Sequence, residues 1–321
     1  MRILLTGATG VIGRRALPLL LAEGHSVTAL ARDESARKRL SDLGARGVRA
    51  DLFDLAALKR VVIGHDALIN LATHMPSPAW KMVFRSAWRT NDRIRSIGVS
   101  NLVAAASVAG VQRFIQESFA PTYPDCGDQW IDEDTALSPS RYNASVLDAE
   151  SSVQRFADTG ATGVVLRFAA FYGPDAMQLR SYVAGLKLGW VAVPGGPTAF
   201  MSSVSHYDAA SAVVAALACS SGAYNVTDDE PMRRIDYFGT LAQELGLRPP
   251  RFIPAWVTPL FGSAGSALAR SLRISNRKFR VETGWKPALP SVRQGWPASL
   301  ASPELEPVSG VIARQAKRFK L

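Results

Sequence analysis

The chain has 321 residues, 47% of them hydrophobic, which is enough for one large domain or for two that share a core. Its formal net charge of +10 suits an anionic partner. The basic residues gather in ARDESARKRL and in the terminal ARQAKRFKL without interleaved base-stacking aromatics, so they read as solvated surface and nucleic acid is not expected. Cys126 and Cys219 are too few for a disulfide framework and lie in no metal-ligand spacing. The longest weakly polar stretch, AWVTPLFGSAGSALA at 255–269, is too short for a bilayer span and is broken by Pro259. MRILLTGATG lacks the apolar length and cleavage site of a signal peptide, so a cytoplasmic protein with no membrane partner is expected.

RILLTG at 2–7 is a short apolar run ending in glycine, and Gly10 to Leu21 then carries apolar residues at helical spacing. The alternation continues through HSVTALAR, a charged helix ending near Leu43-Gly44, GVRADL, DALINLAT, a long helix through SNLVAAASVAG, and QRFIQES. A helix opening at about Arg141 leads to a further strand, GVVLRFAAFYG at 163–173. Strands alternating with helices predict an α/β fold, a doubly wound parallel sheet covered on both faces. Pro18 is expected to kink the first helix. After Tyr172 the alternation weakens, which gives one domain over 1–172 and a smaller lobe over 173–321, interleaved with the sheet. Past Trp296 a linker-like stretch leads to a basic tail from about 303.

TGATGVIG at 6–13 sets Gly7, Gly10 and Gly13 between a strand and an amphipathic helix. Gly7 permits the tight turn, Gly10 lets a pyrophosphate approach the backbone, and Gly13 lets helix and strand pack closely. Thr9, Val11 and Ile12 complete the cradle. At the end of the second strand, LARDESARK places Arg32 where a 2'-phosphate would be held, with Arg37 and Lys38 one helical turn on and Asp33 beside it. That favours NADP(H), with NAD(H) as the alternative.

With TGATGVIG, ADLFD, DALINLAT, NLVAAASVAGVQRFIQES, RYNASVLDAE, LRFAAFYGP, VSHYDAA, YNVTD and ETGWKP in order, the chain resembles the extended short-chain dehydrogenase/reductase family, the NAD-dependent epimerases, dehydratases and related reductases. The resemblance implies a Rossmann-type sheet with a cofactor across its carboxyl edge, Asp51 and Leu52 near the adenine, Leu71, Ala72 and Thr73 beside the second ribose, and the substrate between the sheet and the C-terminal lobe. It also implies a homodimer through helices near 91–109 and 142–156. The family's tyrosine falls on Tyr142, but its partner lysine falls on Val146. The family's serine or threonine falls on Phe119, with Ser118 one residue short, and Phe168 stands where a proline usually flanks the nicotinamide.

Without the lysine the phenol should stay near its reference pKa of about 10, so that about one part in a thousand is phenolate at pH 7. Alcohol oxidation needs that phenolate as base, whereas carbonyl reduction needs the abundant neutral acid. The expectation is therefore an atypical NADPH-dependent reductase of a hydrophobic small molecule, with Tyr142 and Ser118 as candidate catalytic groups. His74, Lys81, Phe119, Tyr123 and Phe171 are the candidate substrate contacts. Trp80, Phe84 and Trp88 fall at spacings of four, more often a packed helix face than an aromatic cage. His206 and Asp208 read as structural. The competing readings are a cofactor-sensing scaffold protein, with the tail helix around Val311, Ile312, Gln315 and Phe319 as its partner surface, and a nucleotide-sugar epimerase or dehydratase.

Overall fold

The computed structural model describes residues 1–77, 81–82, 84–191 and 193–302. The basic tail and Trp80 lie outside them. Seven strands, β1 (Arg2–Thr6), β2 (Ser26–Ala31), β3 (Arg46–Arg49), β4 (Ala67–Asn70), β5 (Arg113–Phe119), β6 (Thr162–Phe168) and β7 (Gly222–Val226), form one sheet. Its order is β7-β6-β5-β4-β1-β2-β3, and every neighbouring pair is parallel. Apolar residues on both faces of these strands demand cover on both sides, which the crossover helices supply.

On one face Ile3, Leu5, Ile69, Ile115 and Leu166 pack against α1 (Gly13–Ala22), α2 (Glu34–Asp42) and a later helix, His206–Ala215. On the other, Leu4, Leu68, Phe114 and Val165 pack against α3 (Leu55–Val62), α5 (Val99–Val108) and α6 (Ser145–Ala157). α4 (Arg89–Arg93) runs into α5 through a π turn at Ile94–Gly98. The strand order therefore reverses between β1 and β4, a topological switch point at whose carboxyl end ligands of this architecture bind.

Four sequence expectations shift. The helix bearing the opening tyrosine begins at Ser145, so Tyr142 sits in the tight turn before it; Val146 N bonds Asn143 O and Leu147 N bonds Ala144 O. The strand expected over 163–173 breaks after Phe168: Ala169 bonds to β7, while Ala170–Tyr172 leaves the sheet to pair with Ser203–Ser205. Pro18 lies inside α1 without ending it. The last described helix, Val292–Ala301, runs past Trp296, with Pro297 inside it, where a linker was expected.

Beyond Tyr172 a second core forms around Leu179, Val183, Tyr237, Phe238, Leu241 and Trp296. The chain returns from it to supply β7 and His206–Ala215 to the main sheet. No described helix is long and apolar enough to cross a membrane.

Candidate active site

Gly7 begins the turn after β1 at φ +69°, a conformation that side chains resist, and a Cβ there would lie 2.4 Å from the Leu71 carbonyl. A Cβ on Gly13 would fall 2.1 Å from the Gly7 carbonyl oxygen. Both glycines are therefore fixed by backbone packing. Gly10 is exposed, and its N–H donates to Gly7 O at 2.9 Å. These residues fit a dinucleotide: the turn brings bare backbone to the N-terminus of a ten-residue helix, where a pyrophosphate is favoured. Thr9 and Val11 are exposed along the turn, while Ile12 is buried beneath it.

A buried polar ladder crosses the sheet at this switch point. Thr6 donates to Asn70, Asn70 Nδ2 to Gln116 Oε1 at 2.8 Å, and Gln116 Nε2 to the Glu117 carbonyl at 2.7 Å. These bonds link β1, β4 and β5 where Leu71, Ala72 and Thr73 leave the sheet. α1 is tied to the segment after Tyr172 by Asp175, which accepts from Arg14, from Arg15 at 3.1 Å and from His206 at 2.8 Å. Burial raises the Asp175 carboxyl, but His206 and Arg15 pull it further down, to a net position well below the usual range.

At the end of β2, Arg32 is exposed and makes no polar contact among the described residues. Asp33 does not face it as a ribose acceptor; its carboxylate caps α2, accepting from Ala36 N at 2.7 Å. Arg37 and Lys38 are engaged with Glu34 and Asp42 on their own helix. Arg49, which the sequence reading missed, ends β3 in register with Ala31 and is exposed beside the same edge. Asp51 caps its own turn through Phe53 N, and the Leu52 carbonyl accepts from Asn101 at 3.0 Å, fixing this corner against α5.

Tyr142 is 4% exposed and packs edge-on to Trp88, ring centroids 5.0 Å apart. Ala264, Ala267, Met82 and Phe119 complete this apolar cluster. The phenolic hydroxyl is buried without a hydrogen-bond partner. Burial pushes the phenol up to about 12, opposed first by the charge of Arg95, then by Arg270; Asn143 lies close enough to pull it down slightly but in no hydrogen-bond geometry. The expectation of an unperturbed phenol is thus corrected, because removing the phenol from water costs the phenolate more than the two cations return. Val146 is 1% exposed, in the apolar interior.

The other candidates separate. Ser118 is buried and its hydroxyl donates to Glu150 at 2.5 Å, two helical turns beyond Tyr142, so the two hydroxyls are not brought together. Tyr123 is no pocket wall: it is fully buried, donates to Asn225 at 2.9 Å and accepts from Arg167 at 2.8 Å. Phe168 is 1% exposed within the core and stacks at 5.3 Å on the half-buried Phe171, which in turn lies 5.8 Å from the His206 ring. His74 and Lys81 are exposed, and His74 N donates to Asn91 Oδ1 at 2.9 Å. Of the aromatic stripe, Trp88 is buried and Phe84 is half exposed. No cluster of His, Cys, Asp or Glu among the described residues could hold a metal ion.

The residues the sequence reading missed lie on α4 and the π turn. Trp88 touches Tyr142, Asp92 accepts from Ser145 at 2.8 Å, and Arg95 is 4% exposed, with one 3.4 Å contact to Glu117. Their signal was the spacing 88, 92, 95, one stripe of a helix that the linear reading did not connect with Tyr142.

Fold and glycine turn together define a Rossmann-type protein built for a dinucleotide. The chain belongs to the NAD dependent epimerase/dehydratase family, whose model matches residues 3–227. It is 33% identical to a 3-diazoavenalumate denitrifying reductase of a Streptomyces species, over 92% of this chain and 99% of that one. It is 25% identical to the 4-hydroxy-2-methyl-3-oxo-4-farnesyl-3,4-dihydroquinoline-1-oxide ketoreductase of Stigmatella aurantiaca, over 93% and 97% of the two chains. Among solved structures it is similar to MoeE5 in complex with UDP-glucuronic acid and NAD, at TM-score 0.75 and 25% identity, covering 94% of this chain and 98% of that one. The protein is an NAD(P)-dependent oxidoreductase-type enzyme.

Proposed function

We propose that this protein is an NADPH-dependent reductase of a ketone or similar electrophilic carbon in a hydrophobic small molecule, with Tyr142 as proton donor. The observation that carries the reading is the Tyr142 hydroxyl: buried, unpartnered, and held neutral with a pKa of about 12. A donor without an acceptor at the carboxyl edge of a Rossmann sheet is suited to a substrate oxygen, and Trp88, Phe119 and Met82 give it apolar walls. At pH 7 roughly one phenol in 10⁵ would be ionised, so a reaction that starts by deprotonating an alcohol is slowed by about 7 kcal/mol against a reference with phenolate in place.

The bound cofactor supplies the hydride. Tyr142 places its proton on the oxygen where negative charge develops, the aromatic walls exclude water, and Arg32 with Arg49 would hold the 2'-phosphate. Two relatives matched over more than nine-tenths of this chain, at 92% and 93%, are named as reductases, one of a diazo compound and one of a ketone, which supports the same direction of hydride transfer. A nucleotide-sugar epimerase or dehydratase has support in the likeness to MoeE5. It ranks second because such chemistry first withdraws a hydride from an alcohol, the step that a neutral buried phenol opposes.

The test is single-turnover NADPH oxidation against a panel of aryl ketones, β-keto acids and nucleotide sugars, with native protein and Tyr142→Phe. Reduction of a ketone, falling about 10² to 10⁴ in the variant with NADPH affinity retained, is the expected outcome. Turnover of nucleotide sugars alone, or a variant active within a few-fold of native, refutes the assignment.

A further inference from the structure

We infer that Arg95 supplies, from the neighbouring helix, the positive charge that Val146 does not, and so acts as a positioning residue for the Tyr142 proton transfer. The inference rests on how two elements are set side by side. Trp88 meets Tyr142, and Asp92, one turn on, meets Ser145. Contacts advance together along both segments, so the next residue of the stripe, Arg95, comes level with the first turn of α6. Helical side chains lean back toward the N-terminus, which brings a long Arg95 side chain toward the level of Val146. The valine is small, apolar and fully buried, so position 146 itself brings no charge to this side of the tyrosine.

The surroundings single Arg95 out. Asp92 is bonded to Ser145, Glu150 to Arg167 and Ser118, and Arg270 to the carbonyls of Tyr123 and Ser138. Arg270 is also only half-buried, so water weakens its field more than that of Arg95. Arg95 is buried, and among the described residues its one polar contact is the 3.4 Å approach to Glu117, too long for a strong charge-assisted bond. Burial holds the Glu117 carboxyl above its usual value, against the pull of Arg95. Arg95 sits on a π turn, an irregularity that recurs at functional sites.

The chemical need is specific. When Tyr142 gives its proton to the substrate oxygen, the O–H bond breaks and a phenolate is left in an apolar cluster until solvent returns a proton. A buried anion without a cation nearby is strongly disfavoured. Arg95 lowers that cost, but not so far as to make Tyr142 a base in the resting protein.

The primary test needs no substrate. A double-mutant cycle pairs Val146→Lys with Arg95→Met and reads urea unfolding. In native protein the new lysine is a second buried cation beside Arg95. In Arg95→Met it finds Glu117 unpaired and costs less. Non-additivity of about tenfold or more in the unfolding constant is expected, and additivity within about twofold overturns the inference. If Arg95→Met is too unstable to measure, Arg95→Gln replaces it in the same cycle with the same criteria.

A second arm rests on the reductase reading: single-turnover NADPH oxidation with phenanthrenequinone as probe. The rate is expected to fall about tenfold or more in Arg95→Met and to recover in Arg95→Lys, with NADPH affinity unchanged. Equal rates in native protein and Arg95→Met, alongside a slow Tyr142→Phe, overturn the role of Arg95. If Tyr142→Phe is as fast as native protein, the proton-donor reading fails by itself, and the unfolding cycle still decides where the cation sits.

Discussion

Replacing Tyr142 by phenylalanine should make the protein more stable and less active. The hydroxyl is buried with no hydrogen-bond partner, and such a group retains a desolvation cost of about 1–3 kcal/mol. Phenylalanine keeps the ring against Trp88 and Phe119, so no cavity term opposes the gain. With a urea slope of about 1–3 kcal/mol/M, the unfolding midpoint rises by several tenths of a molar or more. Over the same substitution, hydride consumption falls by about 10² to 10⁴ if the phenol is the general acid. Tyr123→Phe is the internal control. Its hydroxyl donates to Asn225 and accepts from Arg167, so removing it orphans buried partners and costs about 1–3 kcal/mol. Equilibrium urea unfolding of the two variants should thus give opposite signs. A Tyr142→Phe protein that loses more than about 1 kcal/mol would show that the hydroxyl has a structural partner, and the reasoning from its isolation would be wrong.

Arg32→Ala should weaken NADPH binding by about tenfold to a hundredfold and leave NADH nearly unchanged, because it removes one charge-assisted contact to the 2'-phosphate; titration calorimetry with both cofactors measures it, and equal losses for the two would reject the assignment. Gly13→Ala should abolish cofactor binding while the chain still folds, since a Cβ 2.1 Å from the Gly7 carbonyl must push the turn apart; retained affinity within a few-fold contradicts the packing described. Asp175→Asn should flatten the acid limb of stability. The native carboxyl is held below its unfolded value of about 4, so its contribution is complete above that pH and drains as pH falls toward the folded value. Urea unfolding across that range should show native protein losing stability faster than the variant, and parallel curves would mean that Asp175 is not coupled to His206 and Arg15.

The sequence by itself determined the sheet and the glycine turn, because each is written locally. Apolar runs of strand length alternate with helical spacing, and Gly7 and Gly13 stand where backbone contacts leave no room for a side chain. The absence of a lysine at position 146 was equally plain. What the alternation could not convey was the partner of each polar side chain. Ser118 and Tyr123 stand near the end of β5 and looked like site residues, yet pairing with α6 and β6 commits both to the Glu150–Arg167 ion pair. Asp33, beside Arg32 in sequence, is turned by its own helix into a cap.

Arg95 went unnoticed because its meaning depends on an element fifty residues away in sequence, brought alongside by parallel crossovers over one face of the sheet. The same is true of the Tyr142 pKa. Residue identities fix the reference value, but burial under Trp88, Phe119 and the helix carrying Ala264 and Ala267 sets the actual one. Desolvation is a property of everything that surrounds a group, and only the folded chain assembles those surroundings.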